Sequence, residues 1–201
     1  MKKNASMAAL VLAGGKSSRM GEDKALMTWE GKPMLQRVCQ TAAVFCNSVY
    51  ILSPWPERYH QLLEGNYELL LETNPGGGPL VALLQGLIMI STRLSVDWLW
   101  LLACDLPRLQ TEKLQDWINQ LSEVEQNSYA IVPQNQGRWE PLCGFYRLEV
   151  ISPLENFIAQ GGRSFQQWLC ELPTTAIPVG KEEAAMLWNC NRPEDFRLVN
   201  G

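Results

Sequence analysis

A glycine pair followed closely by three cations is the part of this chain best equipped for chemistry: Gly14-Gly15, then Lys16, Arg19 and Lys24. The pair follows the apolar run Met7-Ala8-Ala9-Leu10-Val11, which reads as a buried strand. Glycines let the backbone approach an anion and aim N–H groups at it, and the cations supply countercharge. The combination predicts a nucleotide triphosphate site. A second group points the same way. Asp105 ends the apolar run Trp98–Cys104 and is followed by Leu106-Pro107. A carboxylate at the tip of a buried strand is placed to hold Mg²⁺ against phosphates. Of the other aspartates, Asp97 precedes its strand and Asp116 falls on a helix, so Asp105 is the leading metal ligand.

Two common phosphate loops are excluded. Gly15-Lys16-Ser17 imitates the end of a Walker A motif, but Leu10 stands where its first glycine belongs. Gly14 and Gly15 are adjacent, which breaks the dinucleotide pattern Gly-x-Gly-x-x-Gly. Taken alone, the loop would also serve, as the lesser reading, as a strand-to-helix turn with solvated lysines. The triplet Gly76-Gly77-Gly78 before Pro79 is a third element; it lets backbone lie against a planar base or sugar, or forms a plain surface loop. His60 is the single histidine, in a polar stretch after Pro56, and reads as a surface residue. With no Gly-x-Ser-x-Gly elbow, chemistry must rest on carboxylates, cations and backbone.

The elements that must position these groups alternate. Strands are expected at Met7–Leu12, Val49–Ser53, Tyr67–Leu71, Trp98–Ala103 and Tyr129–Pro133, and helices at Pro33–Phe45, Glu57–Glu64, Pro79–Ile90 and Thr111–Glu125, the last capped by Thr111. Beyond these come a strand at Leu142–Arg147, helices near Ser152–Ala159 and Ser164–Glu171, a strand near Ala176–Val179 and a helix at Pro193–Val199. The rhythm predicts an α/β fold, a three-layer sandwich around a mostly parallel sheet. Ligands gather at the carboxyl ends of such strands, which gathers Gly14-Gly15, Ser53, Glu72 and Cys104-Asp105 on one edge.

The 201 residues fit one domain, and a net charge of −4 argues against nucleic acid as partner. Six scattered cysteines without a C-x-x-C pair fit neither a zinc site nor a disulfide scaffold; reduced thiols in a cytoplasmic protein are the simplest account. Lys2-Lys3 precede no signal-peptide core, and no apolar run is long enough to span a membrane.

Leu12-Ala13-Gly14-Gly15 through Arg19-Met20-Gly21, Asp23-Lys24-Ala25-Leu26 and Gly31-Lys32-Pro33 resemble the signature of the MobA-type nucleotidyltransferases, the molybdenum cofactor guanylyltransferases in particular. Gly78-Pro79-Leu80, Cys104-Asp105-Leu106-Pro107, Gly137–Cys143 and Asn189–Asp195 continue the match in order, over nearly the whole chain. The resemblance implies a nucleotide-diphospho-sugar transferase type of sandwich. It implies transfer of GMP from Mg·GTP to the terminal phosphate of molybdopterin, with release of pyrophosphate. Leu12, Ala13, Gly14, Gly15, Ser53, Glu72 and Gly78 would line the nucleotide, Lys24 and Arg19 would neutralise its phosphates, and Asp105 would bind Mg²⁺. Asn191 and Arg163 would face the acceptor; Arg138 and Trp139 either join them or belong to surface loops, and Gly161–Ser164 offers a second anion site on the same terms. Residues 1–6 would form an unstructured lead, 7–135 the nucleotide-binding part and 136–201 the acceptor-binding part. Partners would be GTP, molybdopterin and proteins that deliver the cofactor or chaperone molybdoenzymes.

Three positions depart from the family pattern. Glu72 stands where family members commonly have Asp, Ala82 where a glycine often follows Gly-Pro-Leu, and Ser53-Pro54-Trp55 where many place Asn. All lie around the expected base pocket. A cytidylyl- or sugar-phosphate nucleotidyltransferase, or a nucleotide-binding adaptor without catalysis, are the alternatives; Leu12-Ala13-Gly14-Gly15 favours GTP over the Leu-Ala-Ala-Gly of cytidylyl relatives.

Overall fold

The computed structural model describes residues 5–14, 23–62, 65 and 67–190. In chain order the elements begin with strand β1 (Met7–Leu12), the short strands β2 (Thr28–Trp29) and β3 (Lys32–Pro33), and helix α1 (Met34–Phe45). Strands β4 (Val49–Ser53) and β5 (Tyr67–Leu71), helix α2 (Pro79–Ser91), strand β6 (Trp98–Ala103) and helix α3 (Thr111–Gln120) follow. The last third carries β7 (Ala130–Asn135), β8 (Arg138–Trp139), β9 (Phe145–Tyr146), α4 (Ile151–Ala159), α5 (Phe165–Glu171), β10 (Thr174–Pro178) and α6 (Lys181–Met186).

Alternation along the central strands builds the three layers. Ala9 and Val11 of β1, Val49 and Ile51 of β4, and Trp98, Trp100 and Leu102 of β6 face one core, shared with Leu35 and Val38 of α1 and Leu114 and Trp117 of α3. Their neighbours Ala8, Leu10, Tyr50, Leu52, Leu99 and Leu101 face the opposite core, with Leu83 of α2, Leu154 of α4 and Trp168 of α5. A strand buried on both faces reads as a continuous apolar run, as all three do.

The sheet runs β10-β7-β9-β6-β1-β4-β5, with β8 paired to β7. β1 lies parallel to β4 and β6, β4 to β5, and β7 to β10. β9 runs antiparallel between β6 and β7. The parallel strands have room between them for a crossover, whereas β7, β8 and β9 follow one another too closely for anything but antiparallel return. Every residue of β6 is buried. Each side chain the size of Leu contributes about 1.5–3 kcal/mol on burial, so the core fixes where Asp105 emerges.

Several expectations are corrected. Among the described residues of the helix expected at Glu57–Glu64, only a single 3-10 turn forms, Pro56–Tyr59. Helix α3 stops at Gln120, and its cap position is Gln110, without a side-chain cap bond; Thr111 is already inside the helix. The strand expected at Leu142–Arg147 shrinks to β9, because Pro141 opens a 3-10 turn over Pro141–Cys143. Ser6, placed in an unstructured lead, donates from its backbone N and its hydroxyl to Asp97 Oδ2, both at 2.7 Å, and ties the start of β1 to that of β6. The Pro193–Val199 helix lies outside the described residues.

Candidate active site

The carboxyl ends of β1, β4, β5 and β6 are stitched together beyond the strands themselves. Ala13 N donates to Leu52 O, Cys104 N to Leu12 O, and Glu72 N to Ser53 O. The residues after each strand therefore emerge along one edge, as expected. Lys24 joins them from a 3-10 turn, Lys24–Leu26, which Asp23 caps by accepting from Ala25 N at 3.1 Å. That turn is tied to β1 by Tyr59, whose buried hydroxyl lies 2.8 Å from Asp23 Oδ2 and 3.2 Å from the Ala13 carbonyl. Lys24 Nζ consequently stands 3.4 Å from Asp105 Oδ2. Burial pushes the Asp105 carboxyl above the usual aspartate range, and the Lys24 ammonium offsets this only in part.

Glu72 closes the edge on the β5 side. Its carboxylate lies over the backbone of Gly14: a Cβ there would stand 2.7 Å from Glu72 Oε2 and collide with the Pro54 ring. Gln85 of α2 holds the segment by accepting from Thr73 N and donating to Leu71 O. Burial raises the Glu72 carboxyl as well. Gly78, with φ 87°, occupies the N-cap of α2 in the left-handed region that favours glycine. Leu12 ends β1 and Ala13 follows it, Ala13 buried. Ser53 shares the edge but is completely buried, and its hydroxyl accepts from Trp55 N at 3.1 Å. Its side chain thus serves the turn after β4 and does not open onto the edge.

On the other side of Asp105 lies a cleft of about 190 Å³, lined among others by Leu106, Arg138, Trp139, Glu140, Gln166 and Asn189. Gln166 braces its wall, accepting from Trp139 N at 3.0 Å and donating to Trp139 O at 2.8 Å. Cys190 N donates to Asp105 O at 3.0 Å, so the segment carrying Asn189 is pinned to the strand end that carries the carboxylate. Arg138 and Trp139 thus line a cleft beside Asp105. Arg163 is exposed on the loop before α5 and is not among the lining residues. Gly162 packs against the Phe157 ring and the Ser164 hydroxyl caps α5 through Gln167 N, so these two residues of the loop serve the turn itself. Gly15, Arg19 and Asn191 lie outside the described residues.

Sequence reasoning missed Tyr59, Gln85 and Gln166, which act through backbone groups distant in sequence. Asp23 carried a readable signal, an acid just before a short turn.

A profile described as the MobA-like NTP transferase domain matches residues 9–174. The chain belongs to that family. Within it, a Trichormus variabilis protein named "Probable molybdenum cofactor guanylyltransferase" is 46% identical over 97% of this chain and 91% of its own length. A Synechococcus elongatus protein of the same name is 42% identical over 96% and 97%. The fold is also that of the molybdopterin-guanine dinucleotide biosynthesis protein A structure from Archaeoglobus fulgidus, at TM-score 0.75, 21% identity and 96% of both chains. The 4-diphosphocytidyl-2C-methyl-D-erythritol synthase structure from Anaerococcus prevotii superposes at TM-score 0.73, with 11% identity over 98% and 95%. MobA-like transferases and this synthase thus share the sandwich predicted from the strand rhythm.

Among the described residues, no group of three or more His, Cys, Asp or Glu side chains is arranged to hold a metal by itself. No helix among them is long and apolar enough to cross a membrane.

Proposed function

We propose that this MobA-like nucleotidyltransferase moves GMP from GTP to the terminal phosphate of molybdopterin and releases pyrophosphate. The observation that carries this is the Lys24–Asp105 pair, held between a glycine-lined edge on one side and a cleft on the other. The oxygen of the acceptor phosphate bonds to the α-phosphorus of GTP as the bond to pyrophosphate breaks. A phosphate is already ionised at neutral pH, so no general base is needed, which suits an edge without histidine. Catalysis then consists of alignment and charge neutralisation. Backbone N–H groups at Gly14 and Gly15 cradle the triphosphate, and Lys24 and Arg19 balance charge on the departing pyrophosphate. Leu12, Ala13, Glu72 and Gly78 bound the nucleotide, and Ser53 supports them from inside.

Mg²⁺ fits Asp105. A carboxylate oxygen is a hard donor, and Mg²⁺ is commonly held by one or two carboxylates with the substrate's phosphates completing its shell. The burial penalty on this carboxylate, only partly met by Lys24, leaves it favouring a further cation. Bound there, the ion would supply neutralisation of phosphate charge.

In this reading residues 7–135 bind nucleotide and residues 136–201 bind the acceptor, with Asn191 and Arg163 in the latter. All six cysteines are free thiols, which supports a cytoplasmic setting, where carrier or chaperone proteins would deliver and collect the cofactor. Pyrophosphate release tests the proposal: it is expected only when GTP, Mg²⁺ and molybdopterin are present together. Release without molybdopterin, or none with it, would overturn the acceptor assignment.

A further inference from the structure

The Glu140 backbone serves the fold, opening the 3-10 turn Pro141–Cys143, but its carboxylate does not. The residue lines the cleft beside Leu106 and Asn189, and its backbone is fixed by Glu140 N donating to Pro133 O at 2.8 Å. The preceding residue is clamped on both sides by Gln166. Yet the half-buried carboxylate accepts no hydrogen bond from the described residues, and Arg138 beside it forms no ion pair with it. Burial raises its carboxyl above the usual glutamate range, with Arg138 opposing. Desolvating an acid without a partner costs stability, so such a group is a candidate for meeting a ligand.

We infer that Glu140 recognises the pyrimidine edge of the pterin, accepting from its ring N3–H and its 2-amino group with the two carboxylate oxygens. This rests on molybdopterin being the acceptor. A 2-amino-4-oxopteridine presents those two donors side by side, and a carboxylate matches paired donors in a bidentate fashion. Guanine carries the same kind of edge, but Glu72 already stands over Gly14 on the β5 side. Glu140 follows β8 on the opposite side of Asp105, at the cleft wall. The two halves of the product would each be read by one carboxylate, from opposite flanks of the reacting phosphates.

Binding of pterin and of lumazine, its 2,4-dioxo counterpart, separates this from other roles. Lumazine turns an acceptor oxygen toward the carboxylate in place of the amino group. The wild-type protein is expected to prefer pterin about ten- to hundredfold, the worth of a hydrogen bond to a charged group. In Glu140→Gln the preference should collapse, because an amide both donates and accepts, while the Kd for GTP, measured without acceptor, stays unchanged and reports an intact fold. A wild-type protein indifferent to the two pteridines, or a Glu140→Gln protein that keeps the preference, would overturn the inference. If the preference depends on Glu140 but no guanylylated product forms, the transfer reading fails and the pterin assignment survives.

Discussion

Lys24 Nζ and Asp105 Oδ2 stand 3.4 Å apart across 81 residues of sequence, with side chains only 20% and 17% exposed. Burial disfavours the Asp105 carboxylate by more than Lys24 restores. The folded chain holds a charge there at a cost, the usual sign of a group kept for function.

Asp105→Asn should therefore lose transfer activity and gain stability. Removing one such electrostatic contact costs about 10²–10³ in rate. Because the folded-state pKa is raised, the folded chain binds this proton more tightly than the unfolded chain. The wild type thus loses stability as pH rises through the interval between the two pKa values, starting at the ordinary aspartate value of about 3.9. The variant does not. Thermal melts should show the variant's Tm advantage opening as pH rises from acid to neutral; an advantage that closes instead would contradict this account.

Gly14→Ala tests the contact between Glu72 and the end of β1. The new Cβ would meet the Pro54 ring and lie 2.7 Å from Glu72 Oε2. Overpacking of this kind costs about 1–3 kcal/mol. Denaturant unfolding should show that loss together with a raised KM for GTP, and adding Glu72→Ala should recover only part of the stability, since Pro54 remains.

Tyr59→Phe removes the hydroxyl shared between Asp23 and the Ala13 carbonyl. A net hydrogen bond is worth about 0.5–1.5 kcal/mol. The expected result is a stability loss of that size, with slower transfer because the Lys24 turn loses its tether to β1. Equal kcat in variant and wild type would remove Tyr59 from the positioning of Lys24.

Arg108→Ala addresses the acceptor side. Its guanidinium lies 4.5 Å from the centre of the Trp188 ring and 5.3 Å from that of Trp29, bridging the segment before Asn189 to the β2–β3 hairpin. Cation–π contacts at exposed sites contribute about 0.5–1 kcal/mol each. The variant should raise the KM for molybdopterin more than that for GTP, measured by varying each substrate in turn.

Short apolar runs alternating with helix-like stretches made the central sheet legible. Runs such as Trp98–Cys104 could only be buried strands, and the edge rule then joined Lys24's loop to Asp105. What stayed hidden depends on contacts far apart in sequence or on backbone signs. Nothing local marks β9 as antiparallel between β6 and β7. The β2–β3 hairpin turns on Glu30 at φ 46° and Gly31 at φ 78°, and β7–β8 on Gln136 at φ 49° and Gly137 at φ 80°. Glu-Gly and Gln-Gly are weaker turn signals than Asn-Gly. Tyr59 was concealed within a stretch read as a longer helix. At the acceptor cleft, the Trp139–Gln166 clamp spans 27 residues and involves backbone groups that carry no side-chain signature.

The central claim is guanylyl transfer to molybdopterin at this edge. The most direct measurement supplies the purified protein with Mg²⁺, molybdopterin and an equimolar mixture of α-labelled GTP and CTP, and identifies the labelled product. The account predicts a guanylylated pterin, with Glu72 bounding the nucleotide. A cytidylylated product, or no labelled pterin at all, would contradict it.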